Sequence, residues 1–427
     1  MIRPDIHGIL SASPEERPAV LEGCWLDADQ TQALAATNPV SILEGDGQAF
    51  RELPGWLARH AAQFPAGGAM GYLSYELART FEVVDLPFDP AIPDFSLAYY
   101  SKIDRLPSHT EEVAHPDPPA SSHILQGFNK ERFVADVEWI RVYIAAGDIY
   151  QANLTQRFAA RLDGLRPEDI YGRLAGSRTP MRAFLKTPHA TVISHSPERF
   201  FRVRGNRILA SPIKGTLARS GDPAEDARRR QRLLASAKDL AENVMIVDLL
   251  RNDLGRVCRY DSIDSQLWEL QELPHLFHLV SHVEGELKPE AGPDEIFRAL
   301  FPCGSITGAP KIRAMEVLAE IEHAPRGISM GAIGIIMGAP GSPGFAMDFN
   351  VAIRTITVRD QIAEFNVGCG IVYDSEPEAE YEEMLLKARP LVETLSLDAA
   401  GAKGMNESPA VTAMSSSPSS RLKQSRR

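Results

Sequence analysis

An acidic and a basic side chain lie sixteen positions apart, on either side of a predicted hairpin turn. Glu198 and Lys214 flank apolar runs that meet at Gly205-Asn206, a dipeptide typical of tight turns. A three-residue loop would place the two side chains opposite each other, a two-residue loop one position out of register, and Pro212 could add a bulge. The pair is either a cross-strand salt bridge, worth roughly a few tenths of a kcal/mol when exposed, or a chemically active pair.

Two predicted helices carry acidic side chains three or four positions apart, which places them on one face. The first helix spans residues 239–251 and the second begins at Pro377. The residues concerned are Asp239 and Glu242 in the first helix, and Glu380, Glu383 and Lys387 in the second. They form either solvated faces with a Glu–Lys pair or a set of four carboxylates that holds a hard divalent cation such as Mg²⁺.

Glycine-rich segments offer bare backbone for binding anions. The segment GSITGAPK (304–311) lacks the Gly-Lys-Ser/Thr ending of a phosphate loop, yet it opens a predicted helix over residues 311–321, whose N–H groups could bind a carboxylate. The segment NVGCGI (366–371) is similarly bare. Arg354 lies in a strand of β-branched residues, where it is either a sheet-surface residue or a bidentate carboxylate ligand.

The familiar nucleophile motifs are absent from this sequence. It contains no G-x-S-x-G and no HExxH, and none of its cysteines has a supporting signature, so we expect no glutaminase module. His278, in HLFHLVSHVEG, is by default a core or surface histidine.

Composition limits the class of protein. The chain has 427 residues, 44% hydrophobic and 24% charged, with a net charge of −12, which is ordinary for a globular protein and unfavourable for sequence-independent nucleic-acid binding. No apolar stretch approaches the ~18 residues of a membrane span, and the start lacks a secretory signal pattern. Four scattered cysteines favour a reducing cytosol over disulfides or a zinc site, so we expect a cytoplasmic protein.

Four regions follow from the pattern along the chain. We predict a mixed N-terminal region over 1–106, a Pro-rich surface linker over 107–122, a catalytic region over 123–398 and a disordered tail over 399–427. Within the catalytic region, residues 130–146 have the apolar spacing of a helix, and residues 149–160 are predicted to form a strand.

Eight segments occur in one order and together resemble the chorismate-utilising enzymes. They are GDIYQANLTQRF (147–158), SPERF (196–200), SPIKGT (211–216), ENVMIVDLLRNDLGR (242–256), HLVS (278–281), FPCGSITGAPKIRAME (301–316), AIRT (352–355) and GCGIVYDSEPEAEYEEMLLKA (368–388). The resemblance is strong over about 125–395 and weak over about 20–105, where GYLSYEL (71–77) carries it. It implies an α+β fold of two orthogonally packed, mostly antiparallel β-sheets flanked by helices.

Two positions distinguish reactions within this family. Members that deliver water to the ring have a lysine base where this chain has Gln151, so the resemblance disfavours an activated-water reaction. Anthranilate synthases typically read PIAGT where this chain reads PIKGT, and the lysine form resembles the aminodeoxychorismate synthases, in which this lysine is a covalent nucleophile. The alternatives are an anthranilate synthase component I and a catalytically silent binding homologue.

The resemblance also implies roles for individual residues. The implied catalytic residues are Lys214 as nucleophile, Glu198 as general acid and His278 beside the reacting ring. The implied substrate-binding residues are Gly215, Thr216, Ser305, Gly308, Arg354, Gly368, Gly370 and Lys387. The implied magnesium ligands are Glu242 and Glu383, with Asp239 and Glu380 in support.

The resemblance also implies substrates and a partner subunit, and the chain departs from the family pattern at two places. The implied substrates are chorismate and ammonia, the ammonia coming from a separate glutamine amidotransferase subunit, with no role for nucleic acid or a membrane. Ile335 stands where the family usually has an aromatic residue, so a contact with the substrate's side arm would be lost or replaced. The segment TPMR (179–182) replaces the common SPYM, which weakens the case for a tryptophan effector pocket.

Overall fold

The computed structural model describes residues 5–26, 32–108, 122–174, 179–272, 276–338, 344–395 and 397. The predicted tail, 399–427, and most of the predicted linker, 109–121, lie outside these residues. The two ends of that linker belong to strands, because Pro107 closes the strand Asp104–Pro107 and Ser122 opens the strand Ser122–Gln126.

The described residues form two antiparallel β-sheets of ten strands each, as the α+β prediction requires. The first sheet runs β16 (Gly308–Ala309), β8 (Gln151–Leu162), β20 (Ile362–Ile371), β19 (Thr355–Arg359), β10 (Thr191–Ser196), β9 (Met181–Lys186), β1 (Ala19–Gly23), β2 (Gln32–Ala36) and β6 (Asp104–Pro107), and β7 (Ser122–Gln126) pairs with β8. The second runs β13 (Ile213–Ala218), β15 (Leu276–Glu286), β12 (Arg207–Ser211), β11 (Arg199–Arg204), β18 (Phe345–Val351), β17 (Ala332–Gly338), β4 (Gly68–Leu73), β5 (Phe95–Tyr100) and β3 (Ser41–Gly45), and β14 (Asp264–Glu272) pairs with β15.

Helices flank both sheets. In chain order they are α1 (Ile6–Leu10), α2 (Gly47–Phe50), α3 (Leu53–Gln63), α4 (Lys130–Ala145), α5 (Pro167–Arg173), α6 (Pro223–Leu234), α7 (Ala237–Gly255), α8 (Pro293–Leu300), α9 (Lys311–Glu322) and α10 (Pro377–Thr394). Short 3₁₀ turns cover Pro14–Glu16, Tyr75–Thr80 and Gly304–Ile306. No helix among the described residues is long and apolar enough to cross a membrane.

Alternation of side chains along the strands creates three packed layers. In β1, Val20 joins the core between the first sheet and its helices, whereas Ala19 and Leu21 join the core between the two sheets. A third cluster lies between the second sheet and helices such as α7 and α8. Because β1, β2 and β6 enter one sheet and β3 to β5 the other, the first hundred residues are built into both sheets.

Ile335 belongs to the core between the sheets. It has no exposed surface and shares its cluster with Met70 and Tyr72, which lie on the neighbouring strand β4. The side chain is enclosed by packed apolar neighbours, which agrees with the expected loss of a contact to the substrate's side arm. That loss stays a prediction.

The hairpin at Gly205-Asn206 has the two-residue loop. Arg204 pairs with Arg207, and the register shifts between Arg199 and Arg202. Lys214 lies beyond this hairpin, because the pairing of β11 with β12 ends at Arg199 and Ser211, and β13 pairs with β15, the other neighbour of β12. The direct cross-strand pairing of Glu198 with Lys214 is therefore wrong, and any meeting of these side chains depends on the tertiary fold.

Candidate active site

Lys214 lies in a β-bulge, which determines the direction of its side chain. The register of β13 against β15 shifts between Ile213 and Thr216, so Lys214 and Gly215 lie in the bulge. Gly215 has a φ of +87°, a conformation that side-chain-bearing residues rarely adopt, which explains the glycine at this position. The Lys214 side chain is 13% exposed, and its Nζ lies 3.9 Å from Oε2 of Glu242.

Glu198 is held in the short connection between β10 and β11. The Ser196 hydroxyl accepts a hydrogen bond from the Glu198 backbone N–H at 3.2 Å and donates to the Val351 carbonyl at 2.6 Å. The Glu198 side chain is buried, and its Oε1 has no hydrogen-bond partner. Burial raises the pKa of this carboxyl to about 7, although the Ser305 hydroxyl and the positive charge of Lys214 act in the opposite direction.

These facts make Glu198 a candidate general acid. A carboxyl whose pKa lies near 7 is partly protonated at neutral pH, and the proton has no acceptor inside the protein at Oε1. The influence of Lys214 on this pKa also means that the acid and the amine share one local environment, although they lie on different strands.

The raised pKa of Glu198 has a measurable effect on stability. The folded protein keeps a proton that the unfolded chain loses above its ordinary pKa of 4.5, so this group lowers the unfolding free energy as the pH rises from 4.5 to about 7. We expect Glu198→Gln to remove that loss, so that the stability of the variant relative to the parent increases by about 3 kcal/mol over this window. Urea unfolding at pH 4.5, 6 and 8 checks this, and a difference that is constant with pH would contradict it.

His278 lies on β15, opposite Thr216. The Thr216 hydroxyl is 2.8 Å from Nδ1 of His278, and Nε2 is buried without a hydrogen-bond partner. Burial, together with the positive charge of Arg354, lowers the pKa of His278 to about 4. His278 is therefore a neutral imidazole at physiological pH, with Nδ1 bonded to Thr216 and Nε2 buried without a hydrogen-bond partner.

We expect the His278 ring to remain uncharged throughout the neutral range. Its chemical shifts in NMR spectra of specifically labelled protein should not titrate between pH 5.5 and 8, whereas an ordinary histidine titrates near pH 6.5. A midpoint above pH 6 for His278 would contradict the neutral assignment.

Arg354 occupies a strained turn between β18 and β19. Its φ is +50°, which is uncommon for a residue with a side chain, and its carbonyl accepts a hydrogen bond from the His195 N–H at 3.0 Å. Burial lowers the pKa of its guanidinium, and no carboxylate within the described part of the chain pairs with it. An incoming carboxylate would supply the missing partner.

The acidic residues of α7 and α10 converge, and three of them are matched with lysines. The ion pairs are Glu242–Lys214 at 3.9 Å, Glu380–Lys238 at 3.0 Å and Glu383–Lys387 at 2.8 Å. Burial raises the pKa of Glu242, and the negative charges of Asp239 and Glu380 add to this effect. The pKa of Glu383 is lowered, because Lys387, Lys238 and Lys214 together outweigh its burial.

The donor set fits a hard divalent cation. Ligand atoms of Glu380, Glu383 and Cys369 lie within 4.8 Å of one another. Burial raises the pKa of the Cys369 thiol to about 12, so sulfur is a poor donor there and the carboxylate oxygens remain, which are the ligands Mg²⁺ prefers. Asp239 borders the site at Gly215, where a Cβ on the glycine would lie 3.3 Å from its carboxyl carbon.

Glycine backbone lies close to the Lys214 side chain. A Cβ on Gly370 would lie 2.3 Å from Nε2 of Gln151 and 3.6 Å from Nζ of Lys214. Gln151 itself is buried, and its Oε1 has no hydrogen-bond partner. Gly368 on the same strand offers its carbonyl to Nζ of Lys387 at 3.3 Å. Glycine is required at position 368, because a Cβ there would lie 1.8 Å from the Leu154 carbonyl oxygen, and a Cβ on Gly370 would meet the Gln151 side chain.

The Ser305 and Gly308 positions close the site on the side of the first sheet. Ser305 lies in the 3₁₀ turn Gly304–Ile306, and its hydroxyl acts on Glu198. Gly308 has a φ of +146°, and a Cβ there would lie 2.2 Å from the Gln151 carbonyl, so glycine is required by this close approach. The segment GSITGAPK is thus a turn and a short strand, β16, that precede α9.

Sequence reasoning missed two residues of this site, Lys238 and Cys369. Lys238 directly precedes Asp239 and is four positions before Glu242, which was a usable signal for an ionic role. Cys369 lies between two of the glycines singled out, and its proximity to Glu380 and Glu383 depends on how α10 packs against β20. All four cysteines are free thiols.

Comparison with known proteins gives consistent results. Residues 22–393 match the family described as chorismate binding enzyme. The chain is 36% identical over 353 residues to aminodeoxychorismate synthase component 1 of Klebsiella aerogenes, an alignment that covers 77% of each chain. It is 38% identical over 280 residues to anthranilate synthase component 1 of Bacillus subtilis (strain 168), covering 65% of this chain and 53% of that one. The crystal structure of anthranilate synthase component I from Streptococcus pneumoniae TIGR4 matches with a TM-score of 0.71 and 28% identity, covering 86% of this chain and 92% of that chain.

Proposed function

The chain belongs to the chorismate binding enzyme family, and from this premise we propose that it converts chorismate and ammonia to 4-amino-4-deoxychorismate, as an aminodeoxychorismate synthase component I. The observation that carries the proposal is Lys214, whose largely buried amine lies at a bulge beside Glu242 and shares its environment with Glu198. A nucleophile and an acid in one enclosed site can replace a poor leaving group, which is what amination of chorismate at C4 requires.

The first displacement forms a bond between Nζ of Lys214 and C2 of the ring. The ring double bonds shift and the C4–oxygen bond breaks. The departing hydroxyl takes the proton of Glu198 and leaves as water. Lys214 attacks as a neutral amine and becomes a secondary ammonium in the adduct, so its own positive charge must first be lost to a base or to solvent.

The second displacement releases the lysine. Ammonia bonds to C4 while the C2–Nζ bond breaks, so the double bonds return and Lys214 departs as a neutral amine. The new C4 ammonium can return a proton to the Glu198 carboxylate, which restores the acid. The sum is chorismate and ammonia giving 4-amino-4-deoxychorismate and water, with the enolpyruvyl arm retained. Without the lysine, ammonia would attack C2 instead, which leads toward anthranilate.

Other residues bind and orient the substrate in this proposal. Arg354 pairs with a substrate carboxylate, and the neutral His278 lies beside the ring near the departing hydroxyl. Lys387, Ser305 and Thr216, with the backbone at Gly215, Gly308, Gly368 and Gly370, complete the contacts. Glu242, Glu383, Glu380 and Asp239 would hold Mg²⁺, which when bound supplies positive charge for the ring carboxylate.

Removal of magnesium is expected to abolish the reaction reversibly. Without a divalent cation, the carboxylates of Glu242, Glu380 and Glu383 have lysine side chains as their counter-charges, and an anionic substrate loses the additional positive charge that Mg²⁺ would supply. Dialysis against a chelator should reduce product formation to background, and added MgCl₂ should restore it. The checking assay is chorismate consumption with ammonium salt, and full activity after exhaustive chelation would remove magnesium from the account.

Chromatography of the products tests the proposed reaction. The purified chain is incubated with chorismate, MgCl₂ and ammonium salt, and the products are separated with and without a lyase that converts 4-amino-4-deoxychorismate to 4-aminobenzoate. The proposal predicts the 4-amino product and no free pyruvate before the lyase is added. Anthranilate with pyruvate would indicate the anthranilate synthase reaction, and no consumption at all would indicate a silent homologue.

The nitrogen donor in the cell is proposed to be a separate glutamine amidotransferase subunit. The chain shows no nucleophilic cysteine or serine motif for glutamine hydrolysis. Burial raises the pKa of Cys258, Cys303 and Cys369, so these thiols lack the lowered pKa that a catalytic cysteine needs.

A further inference from the structure

Four carboxylates and three ammonium groups share the region between α7 and α10. Asp239, Glu242, Glu380 and Glu383 face Lys214, Lys238 and Lys387, so formal charge is nearly balanced before any metal binds. Glu380 belongs to the group of residues whose ligand atoms could hold a cation, and one of its oxygens is already bonded by the Lys238 ammonium. A divalent cation and this ammonium therefore compete for the same carboxylate.

Lys238 occupies the most exposed position of the three. Its side chain is 52% exposed, against 13% for Lys214 and 41% for Lys387. It lies in the first turn of α7, where a long side chain can turn toward solvent without disturbing the helix. Lys214 and Lys387, in contrast, lie close to the backbone of Gly370 and Gly368, respectively.

The group that Lys238 neutralises is buried. Oε1 of Glu380 accepts hydrogen bonds from Nζ of Lys238 at 3.0 Å and from the Ser375 hydroxyl at 2.7 Å, and Glu380 is only 3% exposed. A buried carboxylate without a cation is strongly unfavourable. Despite the partial burial of Lys238, its hydrogen bond to Glu380 and the negative charges of Glu380, Glu242 and Glu383 raise its pKa, so its side chain is an ammonium at neutral pH.

We propose that the Lys238 ammonium is the resident counter-cation of this cluster and that a divalent cation must displace it from Glu380 to bind. The inference rests on the magnesium role in the proposed function. Lys238 stabilises the metal-free protein and lowers its affinity for the metal, and on displacement it turns toward solvent. Lys238 thus sets the affinity of the site for the metal, and it is neither a metal ligand nor a catalytic residue.

The test is direct titration of the metal-free full chain with MgCl₂ at pH 8, without chorismate, by isothermal calorimetry. Lys238→Met should bind Mg²⁺ about tenfold more tightly than the parent, because a unit charge within a few Å of a cation opposes it by at least that factor. The metal-free variant should also melt at a lower temperature than the parent, and MgCl₂ should raise its melting temperature by more. Lys238→Arg, which keeps the charge, should resemble the parent.

Controls separate the possible outcomes. Lys288 lies outside the cluster, and its Nζ donates a hydrogen bond to the Arg256 carbonyl. The control variant Lys288→Met should leave the affinity for Mg²⁺ unchanged. If Lys288→Met tightens binding equally, net charge explains the effect and the inference fails. Lys238→Gln keeps a hydrogen-bond donor without charge and serves if Lys238→Met does not fold. Unchanged or weaker affinity in the neutral variants would overturn the inference alone, whereas no binding to the parent would overturn the magnesium role as well.

Discussion

Replacing Lys214 with alanine is expected to reduce formation of 4-amino-4-deoxychorismate by roughly 10³-fold or more, because it removes the group that makes the first bond. The remaining site would still hold chorismate, since Arg354, Lys387 and the backbone at Gly368 and Gly370 are unchanged. Ammonia could then attack C2 directly, so any residual amination should appear as the anthranilate-type product. The measurement is the rate and identity of each product, separated by chromatography.

The control for this variant removes one positive charge, as Lys214→Ala does, but leaves the proposed nucleophile in place. Lys288→Ala removes a lysine far from the carboxylate cluster and should retain the parent's rate and product. Circular dichroism should show that Lys214→Ala is folded. Undiminished formation of the C4-aminated product by folded Lys214→Ala would refute the covalent role.

The second large effect is expected at Glu198. Glu198→Gln keeps the size of the side chain but cannot donate the proton that the departing hydroxyl needs, so kcat should fall by about 10²- to 10⁴-fold. The acid form is the active one, and its pKa of about 7 means that the parent's rate should decline as the pH rises through that value. The residual rate of Glu198→Gln should lack this decline. The measurement is kcat between pH 6 and 9.

Glu76 provides a matched control for this pH dependence. It is also buried with a pKa raised to about 7, but it accepts hydrogen bonds from the backbone N–H groups of Arg326 and Gly327 and lies away from the carboxylate cluster. Glu76→Gln should change stability with pH yet keep the decline in rate above pH 7. If Glu76→Gln abolishes the decline and Glu198→Gln does not, the general acid has been misassigned.

Periodic elements could be predicted from the sequence with good accuracy. The helix predicted over residues 239–251 spans Ala237–Gly255, and the one predicted from Pro377 begins there and ends at Thr394. Local signals are sufficient in these cases, because the Ser236 side chain caps the first helix and a proline opens the second. The shared helical faces of the acids follow from spacing alone.

Strand partners could not be predicted in the same way. The sequence around Gly205-Asn206 signals a hairpin, but the partner of β13 is β15, more than sixty residues later in the chain. The ladder with β11 ends at Ser211, whereas pairing with β15 continues from β12 into β13, and the Ser281 N–H bonds the Pro212 carbonyl between them. The environment shared by Glu198 and Lys214 is thus a product of long-range pairing and of the bulge at Gly215.

Helical spacing predicts the Glu383–Lys387 pair, which the structure contains, but it does not predict the partner of Lys238. Helical spacing would pair Lys238 with Glu242, four residues on, yet its hydrogen bond goes to Glu380, 142 residues away. The choice depends on how closely α10 approaches α7 and on which carboxylate is more deeply buried. Neither quantity can be obtained from residue spacing, although the residue types that carry the charges can.

Mass spectrometry of the protein mixed with chorismate in the absence of ammonia tests the central claim most directly. If the Lys214 amine bonds to the ring, the intact chain gains the mass of one chorismate less one water, and proteolysis locates the added mass on the peptide that contains Lys214. Addition of ammonium salt should then discharge the adduct as 4-amino-4-deoxychorismate. An unmodified Lys214 in protein that aminates chorismate at C4 under the same conditions would contradict the account.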